Sequence, residues 1–119
     1  MSSQVRSIKT AELYITALQR GIKLFYLNGE KITNKTEFLA KIAEVMAFPD
    51  YFGHNWDALD ECLTDLSWLS AEGYIIVYYQ PHFFTQSEPQ QWEIAHSILN
   101  SAAQYWQQHN IPMDILLIS

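Results

Sequence analysis

The sequence predicts an α/β fold, a small three-stranded parallel sheet flanked by helices, from three observations. Three short apolar runs, Ile22 to Leu27, Tyr74 to Tyr79 and the Ile-Leu-Leu-Ile ending, are spaced far apart along the chain. Segments of helical periodicity fill the intervals. Strands that alternate with helices imply parallel pairing through right-handed crossovers. With 119 residues, 49% of them apolar, the chain suits one globular unit with a sizeable core.

The elements follow in order. Residues 10–20 read as a short amphipathic helix, with Thr10 as cap, Ala11, Tyr14 and Leu18 on one face, and Gly21 as its stop. The first strand, 22–27, runs into an Asn28-Gly29 turn. That dipeptide often marks a hairpin, but Asn34 with Glu37 three residues on makes a capping-box-like start, and Phe38, Leu39, Ile42 and Met46 keep helical spacing. Pro49 and Gly53 end that helix and bracket a loop from Phe48 to His54. Asn55 caps a second helix of about 55–66. Tyr74 to Tyr79, apolar at nearly every position, reads as a strand buried on both faces. Pro81 and Pro89 bracket a long loop, after which Ile94, Ala95, Ile98, Leu99, Ala102, Tyr105 and Trp106 line one helix face. Asp114 to Ser119 supplies the last strand.

Composition excludes several classes. The longest unbroken apolar stretch is Tyr74 to Tyr79, far short of the roughly 20 residues of a membrane span. Met1 to Arg6 leads into a polar, helix-like segment without the pattern of a secretory signal, and the single Cys62 cannot form an internal disulfide. The expected compartment is therefore the cytoplasm or another reducing one. All seven bases lie in residues 1–41, against three acids, a balance of +4. From residue 42 onward there are ten acids and no Lys or Arg, a balance of −10. A field of that sign repels nucleic acid and steers basic partners toward the chain.

The charge concentrates on the second helix. Ala58, Leu59, Cys62, Leu63 and Leu66 share one side, whereas Asp57, Asp60, Glu61 and Asp65 share the other. Asp57 with Glu61, and Glu61 with Asp65, are like-charge i,i+4 pairs, each destabilising an isolated helix by about 0.2–0.5 kcal/mol. Asp57 gains something back from the helix dipole, but Asp65 at the other end does not. The plain interpretation is a solvated face that aids solubility. Tyr51 and Phe52 beside it, with Gly53 expected to permit an unusual backbone angle, favour a contact surface instead.

Pro49-Asp50-Tyr51-Phe52-Gly53, then Asn55, then Asp57-Ala58-Leu59, then Cys62-Leu63-Thr64 resemble the signature loop and helix of the barstar family, the intracellular inhibitors of barnase-type ribonucleases. Leu27-Asn28-Gly29-Glu30 and the Ile-Leu-Leu-Ile-Ser ending resemble the family too. The resemblance implies a barstar-like domain over 22–119, with residues 1–21 as an N-terminal helical extension. It also implies a partner surface of Tyr51, Gly53, Asn55, Asp57 and Glu61, with Thr64 at its edge and His54 within the loop. Glu61 is one methylene longer than the family's usual Asp. Asp60 stands where the family usually has a tryptophan, and Gln104 where the archetype carries a glutamate on a later helix. The implied activity is non-enzymatic: carboxylates on a rigid helix fill the cationic pocket of a small basic ribonuclease. A monomer when free, without cofactor or metal and without direct contact to nucleic acid or membrane, is the corresponding expectation.

Two other classes compete. Asp57, Asp60, Glu61 and His54 could gather a metal ion in a carboxylate-based enzyme, although their spacing fits no zinc or calcium signature. An interaction module on the same fold could also bind something other than a ribonuclease, which Asp60 and Gln104 keep open. His82, His96 and His109 read as ordinary histidines, and Cys62 as a small core residue. Trp56, Trp68, Trp92 and Trp106 read mainly as core anchors, Trp68 being also a possible contact.

Overall fold

A computed structural model describes residue 12 and residues 15–119. Residues 15–19 are helical (α1), and Gly21 closes this helix at φ +73°, a left-handed conformation that glycine adopts without a Cβ clash. The expected cap Thr10 and the expected face residues Ala11 and Tyr14 lie outside the described residues. The chain continues through β1 (Ile22–Asn28), a 3-10 turn (Gly29–Lys31), α2 (Lys35–Val45), α3 (Trp56–Asp65) and a second 3-10 turn (Ser67–Leu69). It ends with β2 (Gly73–Tyr79), α4 (His82–Ser87), α5 (Pro89–Gln108) and β3 (Met113–Ile118).

The sheet has the order β1-β2-β3, all parallel, with Leu24 opposite Ile75 and Ile75 opposite Asp114. β2 is central and buried on both sides, as its apolar run requires. Tyr74, Ile76 and Tyr78 point into the main core with Leu27, Phe38, Leu39, Ile42, Leu59, Leu63, Phe84 and Leu99. The Asn28-Gly29 turn feeds a 3-10 turn capped by Asn28 Oδ1, and Gly29 sits against the carbonyl oxygens of Tyr79 and Gln80, where a Cβ has no room.

α2 starts at the expected cap: the Glu37 N–H donates to Asn34 Oδ1 at 2.8 Å. The return bond lands one residue early, on the N–H and hydroxyl of Thr33, and these two donors hold the Glu37 carboxyl below its ordinary value. α2 ends in a Schellman motif, with Phe48 N–H donating to Ala43 O, Ala47 N–H to Glu44 O, and Ala47 at φ +52°.

Two expectations need correction. The segment between Pro81 and Pro89 is not a long loop but carries α4, because buried Phe84 packs its ring against Phe38 and Trp92. Pro89 accordingly opens α5 rather than closing a loop, a position where its missing N–H costs nothing. Ile94 and Tyr105, 40% and 36% exposed, lie off the core face of α5, which is made by Ala95, Leu99 and Ala102. Among the described residues no helix is long and apolar enough to cross a membrane.

Candidate functional site

α3 is a two-sided helix. Leu59, Cys62, Leu63 and the C-cap Leu66 are buried, whereas Asp57, Asp60, Glu61 and Asp65 are exposed. At about 100° per residue the four acids and Thr64 span an arc of about 140°, so they form one continuous strip. Asn55 fixes where the strip starts, its Oδ1 accepting the Ala58 N–H at 2.8 Å. Leu66 ends it in a left-handed conformation at φ +47°, with its N–H donating to Cys62 O at 3.2 Å.

Indole hydrogen bonds moor α3 to α5: Trp56 Nε1 donates to Gln91 Oε1 at 3.0 Å, and Trp106 Nε1 to Leu63 O at 2.6 Å. Trp68 Nε1 likewise donates to Met46 O at 3.0 Å, tying the turn after α3 to the end of α2. These three tryptophans are half-buried against the core, so the anchoring expectation holds for them. Lys35 lies 5.4 Å from the Trp56 ring centroid, a cation–π contact at the N-terminal end of the strip. Gln91 and Lys35 were not legible as neighbours of α3, because both contacts are long-range and depend on the side chain of Trp56.

No ion pair relieves the strip among the described residues. The ion pair that forms among the described residues is Lys41–Glu44 on α2, at 3.3 Å. Ser67 Oγ donates to Asp65 Oδ2 at 3.3 Å, but Asp57, Asp60 and Glu61 have no hydrogen-bond or ion-pair partner among the described residues. Thr64 is half-buried and turns its hydroxyl back onto Asp60 O at 2.8 Å. The Cys62 thiol on the opposite face is pushed up by burial and then by the charges of Asp65 and Glu61. Among the described residues no three His, Cys, Asp or Glu side chains converge on a common metal position.

The loop before α3 is built on aromatic packing. Phe52 is 6% exposed and its ring centroid lies 4.9 Å from that of Phe48, which in turn meets Trp68 edge-on at 6.0 Å. Phe52 is therefore not a surface aromatic, and its burial throws the neighbouring Tyr51 outward at 74% exposure. The expectation for Gly53 also needs correction, since the left-handed residue of this loop is His54, at φ +52°. Gly53 instead leaves room for the amide of Asn55, whose Nδ2 would lie 3.1 Å from a Cβ there.

The fold thus gathers Tyr51, Gly53, His54, Asn55, Asp57, Asp60, Glu61 and Thr64 along one helix and the loop that enters it. Gln104 belongs to another element, α5. On α5 it lies about 180° around the helix from the core residue Ala95, and it lines a shallow depression with Gln107 and Gln108.

The arrangement can present three or four uncompensated carboxylates, flanked by one exposed phenol, from a rigid support. That is the complement of a cationic pocket. A sequence model of the family described as Barstar (barnase inhibitor) matches residues 22–118, most of the chain. A comparison with curated proteins gives no match.

Proposed function

This chain belongs to the barstar family, and we propose that it is a non-enzymatic inhibitor of a small basic ribonuclease, acting from the cytoplasm as a monomer to protect the cell that makes it. The observation that carries this reading is the strip of Asp57, Asp60 and Glu61, exposed and without an ion-pair partner among the described residues. A ribonuclease gathers cationic side chains around the scissile phosphate, and carboxylates satisfy such donors through charge-assisted hydrogen bonds. Asp57 and Glu61 project their acids into that pocket. Tyr51 and the backbone from Gly53 to Asn55 shape the contact beside it, Asp60 adds a further charge, and Thr64 borders the strip.

The test is RNA cleavage by barnase titrated with this protein at low and moderate salt, with Asp57→Ala alongside. Stoichiometric inhibition is expected, weakened strongly by the substitution. The far-ultraviolet spectrum of the variant should match the wild type and its unfolding midpoint should not fall, because Asp57 is exposed, forms no ion pair among the described residues and is repelled by Glu61. Wild-type inhibition by Asp57→Ala would move the contact surface off α3.

A second reading, an interaction module for a partner that is not a nuclease, draws on Asp60, which puts a charge where the family usually has an aromatic. Failure to inhibit any of a panel of basic ribonucleases would favour it.

A further inference from the structure

We infer that His54 makes recognition by the α3 surface pH-dependent, through a ring nitrogen that accepts a hydrogen bond when neutral and loses that capacity on protonation. The inference rests on the inhibitor reading above, because it needs a cationic partner.

His54 is exposed and sits between Gly53 and the N-cap Asn55, at φ +52°. A non-glycine residue holds that backbone only where its surroundings fix it. Here its ring lies 4.7 Å from the ring of Phe52, centroid to centroid, and its Nδ1 is 3.2 Å from Phe52 O. Phe52 is itself buried against Phe48, so the imidazole is fastened to a rigid base.

A carbonyl oxygen can only accept, so Nδ1 carries the hydrogen and the neutral ring holds its free lone pair on Nε2. Nε2 has no partner among the described residues. It is therefore an unused acceptor on the loop that enters α3, available to an Arg or Lys of a partner docked on this surface. Protonation turns Nε2 into a donor and adds a positive charge to the surface that a cationic partner would meet.

The charged groups of the same loop and helix are Asp50, Asp57, Asp60, Glu61 and Asp65, with Lys35 against the Trp56 ring at the start of α3. None of them forms an ion pair with His54 in the structure.

The experiment measures barnase binding by calorimetry at pH 7.5 and pH 5.5 for the wild type, His54→Gln and His54→Asn. Both amides keep an acceptor and do not titrate, and Asn tolerates the left-handed backbone. Any change in barnase itself is common to all three. The wild type should lose about tenfold more affinity on acidification than either variant, the scale of one hydrogen bond to a charged group. Equal losses in all three proteins would overturn the inference while leaving the inhibitor reading standing. No binding by any of them at either pH would overturn both. Nitrogen NMR of the free protein at pH 7.5 gives a separate readout: hydrogen on Nδ1 of His54 is expected, and hydrogen on Nε2 would refute the argument.

Discussion

Replacing Glu61 with Gln should make the free protein more stable and a poorer ribonuclease inhibitor. Glu61 is exposed, sits in the middle of α3, and stands four residues from both Asp57 and Asp65. Each of these like-charge pairs costs about 0.2–0.5 kcal/mol, so removing the shared member should return about 0.4–1 kcal/mol. Nothing large opposes that gain. Gln and Glu have nearly equal helix propensities, the mid-helix position feels little of the dipole, and Glu61 has no partner to lose among the described residues. For a domain of this size the midpoint should rise by roughly 2–5 °C. Urea unfolding followed by tryptophan fluorescence suits the measurement, since Trp56, Trp68, Trp92 and Trp106 are all half-buried. The difference should shrink at 0.5 M salt, where charges one helical turn apart are screened. A variant no more stable than the wild type at low salt, or one whose gain ignores salt, would show that the strip does not repel itself.

Three further outcomes follow from the core. Tyr78→Phe should raise stability by about 1 kcal/mol, because the Tyr78 hydroxyl is buried without a hydrogen-bond partner among the described residues; a loss in urea unfolding would reveal a partner for it. Cys62 should label slowly with a thiol reagent at pH 8 and quickly once urea unfolds the chain. Its raised folded value also means that the neutral thiol contributes stability below the ordinary thiol range, lost as pH rises through the folded value, so urea midpoints should fall above pH 9. Gly29→Ala should destabilise by about 1–3 kcal/mol, since the carbonyls of Tyr79 and Gln80 that a Cβ would strike are backbone and cannot swing away.

What the sequence made legible was whatever local chemistry decides alone. The N-caps Asn34 and Asn55 lie where their side chains suggested, and the apolar run at 74–79 became the central strand. The two-sided pattern of residues 57–66 gave the buried and charged faces of α3 without a structure. Features set by distant contacts were not legible. α4 has no side-chain cap and owes its place to the packing of Phe84 on Phe38 and Trp92, so the flanking prolines suggested only a loop. Pro89 was the missed signal, because proline at the first position of a helix is a start mark as well as a break. Tyr51 and Phe52 are adjacent aromatics of similar size, and only the Phe48 ring decides which one turns inward. For the same reason Gly53 seemed the natural site for an unusual angle, while the ring contact with Phe52 places it at His54.

Magnitudes explain how the fold keeps a helix face that repels itself. Burying a leucine side chain contributes about 1.5–3 kcal/mol, so Leu59, Leu63 and Leu66 together supply roughly 5–9 kcal/mol as an upper estimate. The two repulsive pairs cost at most about 1 kcal/mol. α3 is thus held by its apolar face and by the indole bonds of Trp56 and Trp106, and its charged face is left free to answer to a partner. The division has a consequence for engineering. Changes to the buried face should alter stability and affinity together, whereas changes to the acids should move them in opposite directions. A set of single substitutions at Asp57, Asp60 and Glu61, each neutralised, should therefore give a negative correlation between unfolding midpoint and inhibition. A positive correlation would mean that the acids support the fold, and the case for a partner surface on α3 would fail.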